Sequence, residues 1–276
     1  MSPSVQMEFQ EVLNAYETLE NIYPRVLPLT MWRAWEVAAY RRFKLAEPVL
    51  DLACGDGSFF RLTWPEIRDV VGIDLDKGAA ERAQSSGVYR TVENVSASEL
   101  PFENNSFESV FSNCALEHMD DIEGVLREAN RVLRQKGQFL LSVVTDHFLD
   151  WTPLPFLTGV LGFPERWAAL QEDYLSYHHL RNPFPVEEWI RLFEVAGFVV
   201  EEHIPILPDT FAHFFLFLDQ LWHIPYEQTE ASTALHPVLL KLPNYSEGMQ
   251  DVLSGLYKLS TDHRQGAGAV FALRKS

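Results

Sequence analysis

Apolar positions recur along this chain with two different periods. Val5, Phe9, Val12, Tyr16 and Leu19 fall at helical spacing. Pro24 and Pro28 interrupt that stretch, and a second helical run follows over 31–43, with Trp32 and Trp35 on one side. From residue 48 to about 146, short apolar runs alternate with helical ones. Residues 49–54, 69–76, 89–95, 107–114 and 139–144 predict strands. Between them lie a short helix ending near Pro65, a helix over 77–86 and a longer one over 120–135. In the longer helix Ile122, Val125, Leu126, Ala129, Val132 and Leu133 form one apolar face. Asp120 and Asp121 sit at its positive end, and Gly137 stops it. Residues 147–181 are crowded with aromatics and prolines and show no steady period. A helix over 185–196, stopped by Gly197, a strand over 198–206, a helical stretch over 207–265 and a last strand over 269–274 complete the pattern. Strands alternating with helices predict an α/β fold with a parallel, doubly wound sheet.

The chemistry concentrates where the first strand ends. Val49-Leu50-Asp51-Leu52-Ala53-Cys54-Gly55-Asp56-Gly57 is a buried strand running into a turn with glycines two apart, followed by a helix. Such turns let a ligand lie against the backbone at the carboxyl edge of the sheet. Asp74 ends the next strand and is placed to accept hydrogen bonds from ribose hydroxyls. A dinucleotide fingerprint would continue with a third glycine, but Phe60 stands there, and no phosphate-binding G-x-x-x-x-G-K-[ST] loop is present. The turn carries Asp51 and Asp56, which repel a pyrophosphate and suit a ligand with ammonium and sulfonium groups. The bland alternative is a plain βα turn.

These residues resemble motif I of the class I S-adenosylmethionine-dependent methyltransferases, of the small-molecule, ubiquinone/menaquinone-methylase-like type. The family's D-x-G-x-G-x-G stands here as Asp51-Leu52-Ala53-Cys54-Gly55-Asp56-Gly57, with Ala53 in place of the first glycine. Val71 to Asp76 is similar to the ribose-binding strand end. Ser96 to Phe102, then Asn105 to Val110, is similar to D-A-x-x-L-P-F…S-F-D-x-V, with Ser96 for the usual Asp. Asn113 to His118 and Arg131 to Gly137 continue the pattern, with Lys136-Gly137 for Pro-Gly. The resemblance implies a Rossmann-like seven-stranded sheet, mostly parallel with an antiparallel last strand, plus helical cap insertions. It divides the chain into an N-terminal helical cap, 1–47, and a methyltransferase domain, 48–276, with insertions at about 147–184 and 207–265. The cofactor it implies is S-adenosyl-L-methionine. Asp51, Ala53, Cys54, Gly55 and Gly57 would face its methionine part and Asp74 its ribose. Leu75 would pack on the adenine, Ser96 and Ala97 would meet the adenine edge, and Asn113 and Cys114 would line the methyl end. Tyr16 and Arg33 would reach the cofactor carboxylate if the N-terminal helices fold over it; otherwise they belong to amphipathic packing with Arg33 exposed.

Methyl transfer needs a general base only if the acceptor must lose a proton. His118, His147, His178 and His179 are candidates to orient or deprotonate an acceptor, each with an alternative reading as a loop, lid or surface residue. No metal is expected. His178-His179 has no Cys, Asp or Glu partner at ligand spacing, and Asp120-Asp121 reads as a helix cap. Trp151, Phe156, Phe163, Trp167 and Tyr174 would form an apolar acceptor pocket, capped by 211–222. The expected acceptor is a small or medium-sized, partly hydrophobic organic molecule. The rival readings are a nicotinamide oxidoreductase, disfavoured by Phe60 and the acidic turn, and a non-catalytic Rossmann-like partner protein.

Composition narrows the partners. The chain has 276 residues, with 22 Lys+Arg against 39 Asp+Glu and a formal net charge of −17. This excludes a grip on nucleic acid and a polybasic dock on anionic lipid. Its two cysteines, Cys54 and Cys114, read as free thiols, and residues 1–10 lack the pattern of a signal peptide. The expected location is cytoplasmic, with no stable membrane anchoring; the sequence leaves the oligomeric state open.

Overall fold

The computed structural model describes residues 4–20, 23, 27–223, 225–226, 229–239 and 241–276. Chain order gives α1 (Phe9–Glu20), α2 (Leu27–Tyr40), β1 (Val49–Leu52), α3 (Ser58–Thr63), β2 (Val70–Ile73), α4 (Lys77–Ser85) and β3 (Thr91–Glu93). Then come β4 (Phe107–Asn113), α5 (Ile122–Val132), β5 (Leu133–Val144), α6 (His147–Asp150), α7 (Leu154–Val160), α8 (Trp167–Tyr177) and α9 (Val186–Val195). β6 (Phe198–Ile206), α10 (Asp209–Trp222), α11 (Ala231–Leu239), α12 (Tyr245–Leu259) and β7 (Gly268–Lys275) complete the series, with a two-residue β-ribbon between α10 and α11. Seven strands form one sheet in the order β3-β2-β1-β4-β5-β7-β6. Neighbours from β3 to β5 are parallel, and β7 runs antiparallel to both β5 and β6. This is the Rossmann-like sheet that the resemblance implied. The order reverses beside β1, so the carboxyl ends of β1 and β4 border the switch point where open α/β sheets hold ligands.

The strands read as continuous apolar runs because both faces of the sheet are covered. Along β5, Phe139, Leu141 and Val143 join one core with α5 and α9, while Leu140 and Val144 join the other with α1, α2, α10 and α12. Helix α5 carries the predicted apolar face, and Asp121 caps it by accepting from the Gly124 N–H at 2.9 Å. It ends at Val132, three residues before the predicted limit, because Leu133 already pairs with Phe107 in the sheet.

Two other expectations need correction. Pro28 does not interrupt a helix but opens α2, where its missing N–H costs nothing. Residues 147–181, which show no steady period, form α6, α7 and α8, in keeping with the helical insertions that the resemblance implied. Thr158 is the sole buried residue of α7 and Tyr174 of α8, so no wide apolar face existed to leave a period. The aromatics expected to line one pocket also scatter. Phe156 is 73% exposed and Phe163 51%, and Trp151 stacks on His147 at 4.3 Å.

Helix α2 is buried over most of its surface and is tied to the sheet by a carboxylate. Glu36 is fully buried. Its Oε1 accepts from Trp32 Nε1 at 3.0 Å and from the Ser142 hydroxyl of β5 at 2.7 Å, and its Oε2 pairs with Arg33 at 2.5 Å. Around it, Trp35 meets Phe9 and Phe211 edge-on or tilted at 5.7 and 5.6 Å, and Phe9 stacks on Tyr257 of α12 at 4.2 Å. No helix among the described residues is long and apolar enough to cross a membrane. Glu36→Ala strands the Trp32 N–H and leaves Arg33 without its counter-ion. It is expected to cost ~3–5 kcal/mol in urea unfolding; a loss below about 1 kcal/mol would show that the link carries little.

Candidate functional site

The turn after β1 is shaped by left-handed backbone at Ala53 (φ 62°), Gly55 (φ 58°) and Gly57 (φ 82°). Ala53 adopts this conformation despite its Cβ, where the related motif has glycine. A Cβ on Gly57 would meet the Tyr89 ring at 2.6 Å, whereas a Cβ on Gly55 would meet nothing within 4 Å. Gly57 therefore serves internal packing, and Gly55 leaves open space above the turn. The Cys54 N–H donates to the Ile73 carbonyl at 2.9 Å, and the thiol packs toward Gly72. Asp56 accepts from the Ser58 hydroxyl at 2.6 Å and the Ser58 N–H at 2.9 Å, so it serves the first turn of α3. Phe60 is buried among Trp64, Tyr89 and Phe111, filling the space that close glycine packing would need.

Asp74 stands across the turn. One carboxylate oxygen accepts from the Gly55 N–H at 2.9 Å and the other from the Asp76 N–H at 2.8 Å. A carboxylate has about four acceptor sites, so capacity remains on the crevice side. Asn94 donates to the carbonyls of Asp74 and Leu75, both at 2.9 Å. That fixes the backbone of Leu75, whose side chain is 75% exposed. Asp74 and Leu75 line a crevice of about 510 Å³ together with Ala53, Ser96, Ala97, Asn113, Cys114 and His118. The Ser96 hydroxyl lies 2.9 Å from that of Ser98.

A second cavity, of about 330 Å³, shares Cys114 and His118 with the first. Trp32, Phe148, Tyr177 and Phe215 supply its aromatic walls, and Arg33, His178, Asp219 and His223 its polar tips. Cys114 is held at φ 49° with its N–H donating to the Ser142 hydroxyl at 2.9 Å. His118 Nδ1 lies 3.2 Å from the His179 carbonyl.

The fold thus brings together most, not all, of the residues singled out in the sequence. Arg33 is not an exposed arginine; it pairs with Glu36 and lies 5.2 Å over the Phe59 ring. Tyr16 is buried in the N-terminal core, where Glu20 and Tyr245 are charged or polar neighbours. Among the histidines, His118 borders both cavities and His178 the second; His147 stacks on Trp151 outside them, and His179 offers its carbonyl. His178 does gain an acidic partner, because folding sets Asp219 and His223 beside it. Sequence reading missed Glu36, Glu117, Asp219 and His223. A lone carboxylate on the otherwise apolar α2 was the available signal for Glu36. Glu117 is fully buried beside Cys114, and burial raises its pKa.

Asp51 lies beneath the turn rather than in the crevice. It is 3% exposed and accepts from the Tyr89 hydroxyl at 2.6 Å. Burial pushes its pKa up to about 7, opposed by the Tyr89 hydrogen bond and assisted by the nearby Asp74 charge. A carboxyl whose pKa is higher in the folded state binds its proton more tightly there. Its contribution to stability is complete below the unfolded pKa near 4 and is lost as pH rises to about 7. Asp51→Asn removes that component. The variant's stability in urea unfolding is expected to fall less than the wild type's between pH 5 and pH 8, the difference being at most roughly 2.6 kcal/mol. Parallel profiles would refute the assignment.

Comparison with known proteins agrees with this architecture. Residues 50–141 match the methyltransferase domain family. The demethylmenaquinone methyltransferase of Symbiobacterium thermophilum is 27% identical over 235 residues, covering 76% of this chain and 93% of that one. An uncharacterized methyltransferase of Bacillus subtilis is 34% identical over 164 residues, covering 52% of this chain and 64% of that one. The structure of a methyltransferase from Thermotoga maritima, described as a possible histamine N-methyltransferase, shares the fold. Its TM-score is 0.56 at 19% identity, with 97% of this chain and 98% of that one covered. The strand order, the glycine turn facing Asp74, the matched domain and the named relatives support S-adenosylmethionine-dependent methyltransferase activity in this chain.

Proposed function

We propose that the enzyme methylates a small aromatic, quinone-like acceptor seated in the second cavity. The observation that carries this reading is the shared wall: Cys114 and His118 line both cavities, so donor and acceptor sites meet at the end of β4. The crevice fits S-adenosylmethionine. Gly55 leaves open space above the turn, Asp74 retains acceptor capacity for two ribose hydroxyls, and exposed Leu75 offers an apolar face to the adenine. Ser96 and Ala97 are assigned to the adenine edge, Asn113 and Cys114 to the methyl end, and the Ala53–Gly57 backbone, above buried Asp51, to the methionine part. Tyr16 is assigned to packing. Bound, the cofactor supplies a methyl group already activated by the sulfonium.

The chain's own task is then to hold an acceptor in line and exclude water. Aromatic walls with few polar tips suit a flat ring carrying oxygen substituents. Arg33 stands where it can meet an acceptor oxygen, and its pairing with Glu36 fixes its position. His118, anchored through Nδ1 at the His179 carbonyl, is assigned to orienting the acceptor. The name of the Symbiobacterium relative supports a quinone-like ring.

Asp74→Ala is expected to weaken binding of S-adenosylhomocysteine about tenfold to a hundredfold in calorimetry, or ~1.4–2.8 kcal/mol. Unchanged affinity would remove Asp74 from the ribose. For the acceptor, the enzyme is incubated with S-adenosylmethionine and a panel of reduced naphthoquinones, reduced benzoquinones and aliphatic amines. Mass spectrometry is expected to show methylated reduced quinone; turnover of amines alone would overturn the acceptor reading.

A further inference from the structure

One polar cluster in the second cavity has a composition that methyl transfer does not by itself require. Asp219 and His223 stand one helical turn apart at the end of α10, and His178 caps α8. Asp219 is only 4% exposed. His178 Nε2 lies 2.9 Å from its Oδ2 and His223 Nε2 lies 3.4 Å from its Oδ1. One ligand atom from each residue lies within 4.8 Å of the others. Donors held ~2.0–2.1 Å from a tetrahedral zinc ion are separated by about 3.3 Å; the His223 distance matches this, the His178 distance is shorter, and the two run to different oxygens of Asp219. His178 Nε2 is buried against the carboxylate, at a distance that serves either an N–H donated to Asp219 or a lone pair directed at a shared ion. The Tyr174 hydroxyl donates to Asp219 Oδ2 at 2.6 Å, the kind of outer hydrogen bond that orients a ligating carboxylate.

We propose that His178, Asp219 and His223 bind one divalent metal ion of the zinc type. Such an ion pins α8 to α10, which the Tyr174–Asp219 hydrogen bond already joins. All three ligands border the second cavity, so a remaining coordination position opens onto it. One carboxylate and two neutral imidazoles leave the site with a net positive charge, which suits an oxygen-donor group of an acceptor. That last consequence rests on the acceptor reading above; metal binding does not.

The test uses the full chain, free of any histidine tag, stripped with chelator and titrated with Zn²⁺ alone, without cofactor or acceptor. Calorimetry should show one equivalent per chain, and Zn²⁺ should raise the unfolding temperature. Co²⁺ should give the visible absorption of a tetrahedral site. His178→Gln and His223→Gln should each weaken binding at least about tenfold, and Tyr174→Phe by a smaller factor. The two histidine variants keep Asp219 in place, and S-adenosylhomocysteine binding reports that they are folded. Absence of a stoichiometric Zn²⁺ site in the wild type, or undiminished binding in folded His178→Gln and His223→Gln, would overturn the proposal. Because the titration contains no acceptor, failure of the quinone-like reading leaves its outcome unaffected.

Discussion

A single buried carboxylate joins the helical layer to the carboxyl edge of the sheet. Glu36 accepts from Trp32 on its own helix and from Ser142 on β5, and Ser142 in turn accepts from the Cys114 N–H at the end of β4. A buried carboxylate is tolerated only where hydrogen bonds and a counter-ion replace its water, and here Arg33 completes the set. The chain of contacts runs from α2 to the wall shared by the two cavities. It holds Cys114 in a left-handed conformation that an isolated strand end would not choose. The position of the second cavity relative to the first therefore depends on a helix far upstream in sequence.

The remainder of the site follows from ordinary strand geometry. Parallel strands end together at the carboxyl edge, and the reversal of strand order beside β1 opens a crevice there. The turn after β1 divides its work between two glycines, one packed against Tyr89 and one open to a ligand. The same strand points Asp51 into the interior, where Tyr89 is its partner. Acidity around this turn thus has separate purposes. Asp56 starts a helix, Asp51 is a buried group with a raised pKa, and Asp74 faces the crevice.

The cap elements are built differently from the sheet. Helices α7 and α8 bury almost nothing of their own, and their ordering relies on contacts at a few points. Tyr174 is one of these, linking α8 to Asp219 of α10 and stacking on Phe148 at 5.5 Å. The cavity between the cap and the sheet is consequently lined by residues from α2, α6, α8 and α10, none of which forms a pocket alone. The exposed aromatics of α7 and its following loop play no part in it.

The sheet, the turn and the cofactor class are all legible in the sequence. Strands buried on both faces must be continuous apolar runs, and a ligand-binding βα turn needs glycine and a following carboxylate at short range. Those are local requirements, and they are visible within a few residues of one another. Tertiary structure alone decided which way Asp51 points, that Arg33 is committed to Glu36, and that His178 meets Asp219 and His223. Each depends on side chains from elements distant in sequence, with no periodicity to announce them. The aromatic-rich 147–181 segment makes the same point. Its helices pack too little surface to impose a pattern, so composition suggested a pocket while only the packing showed which rings line one.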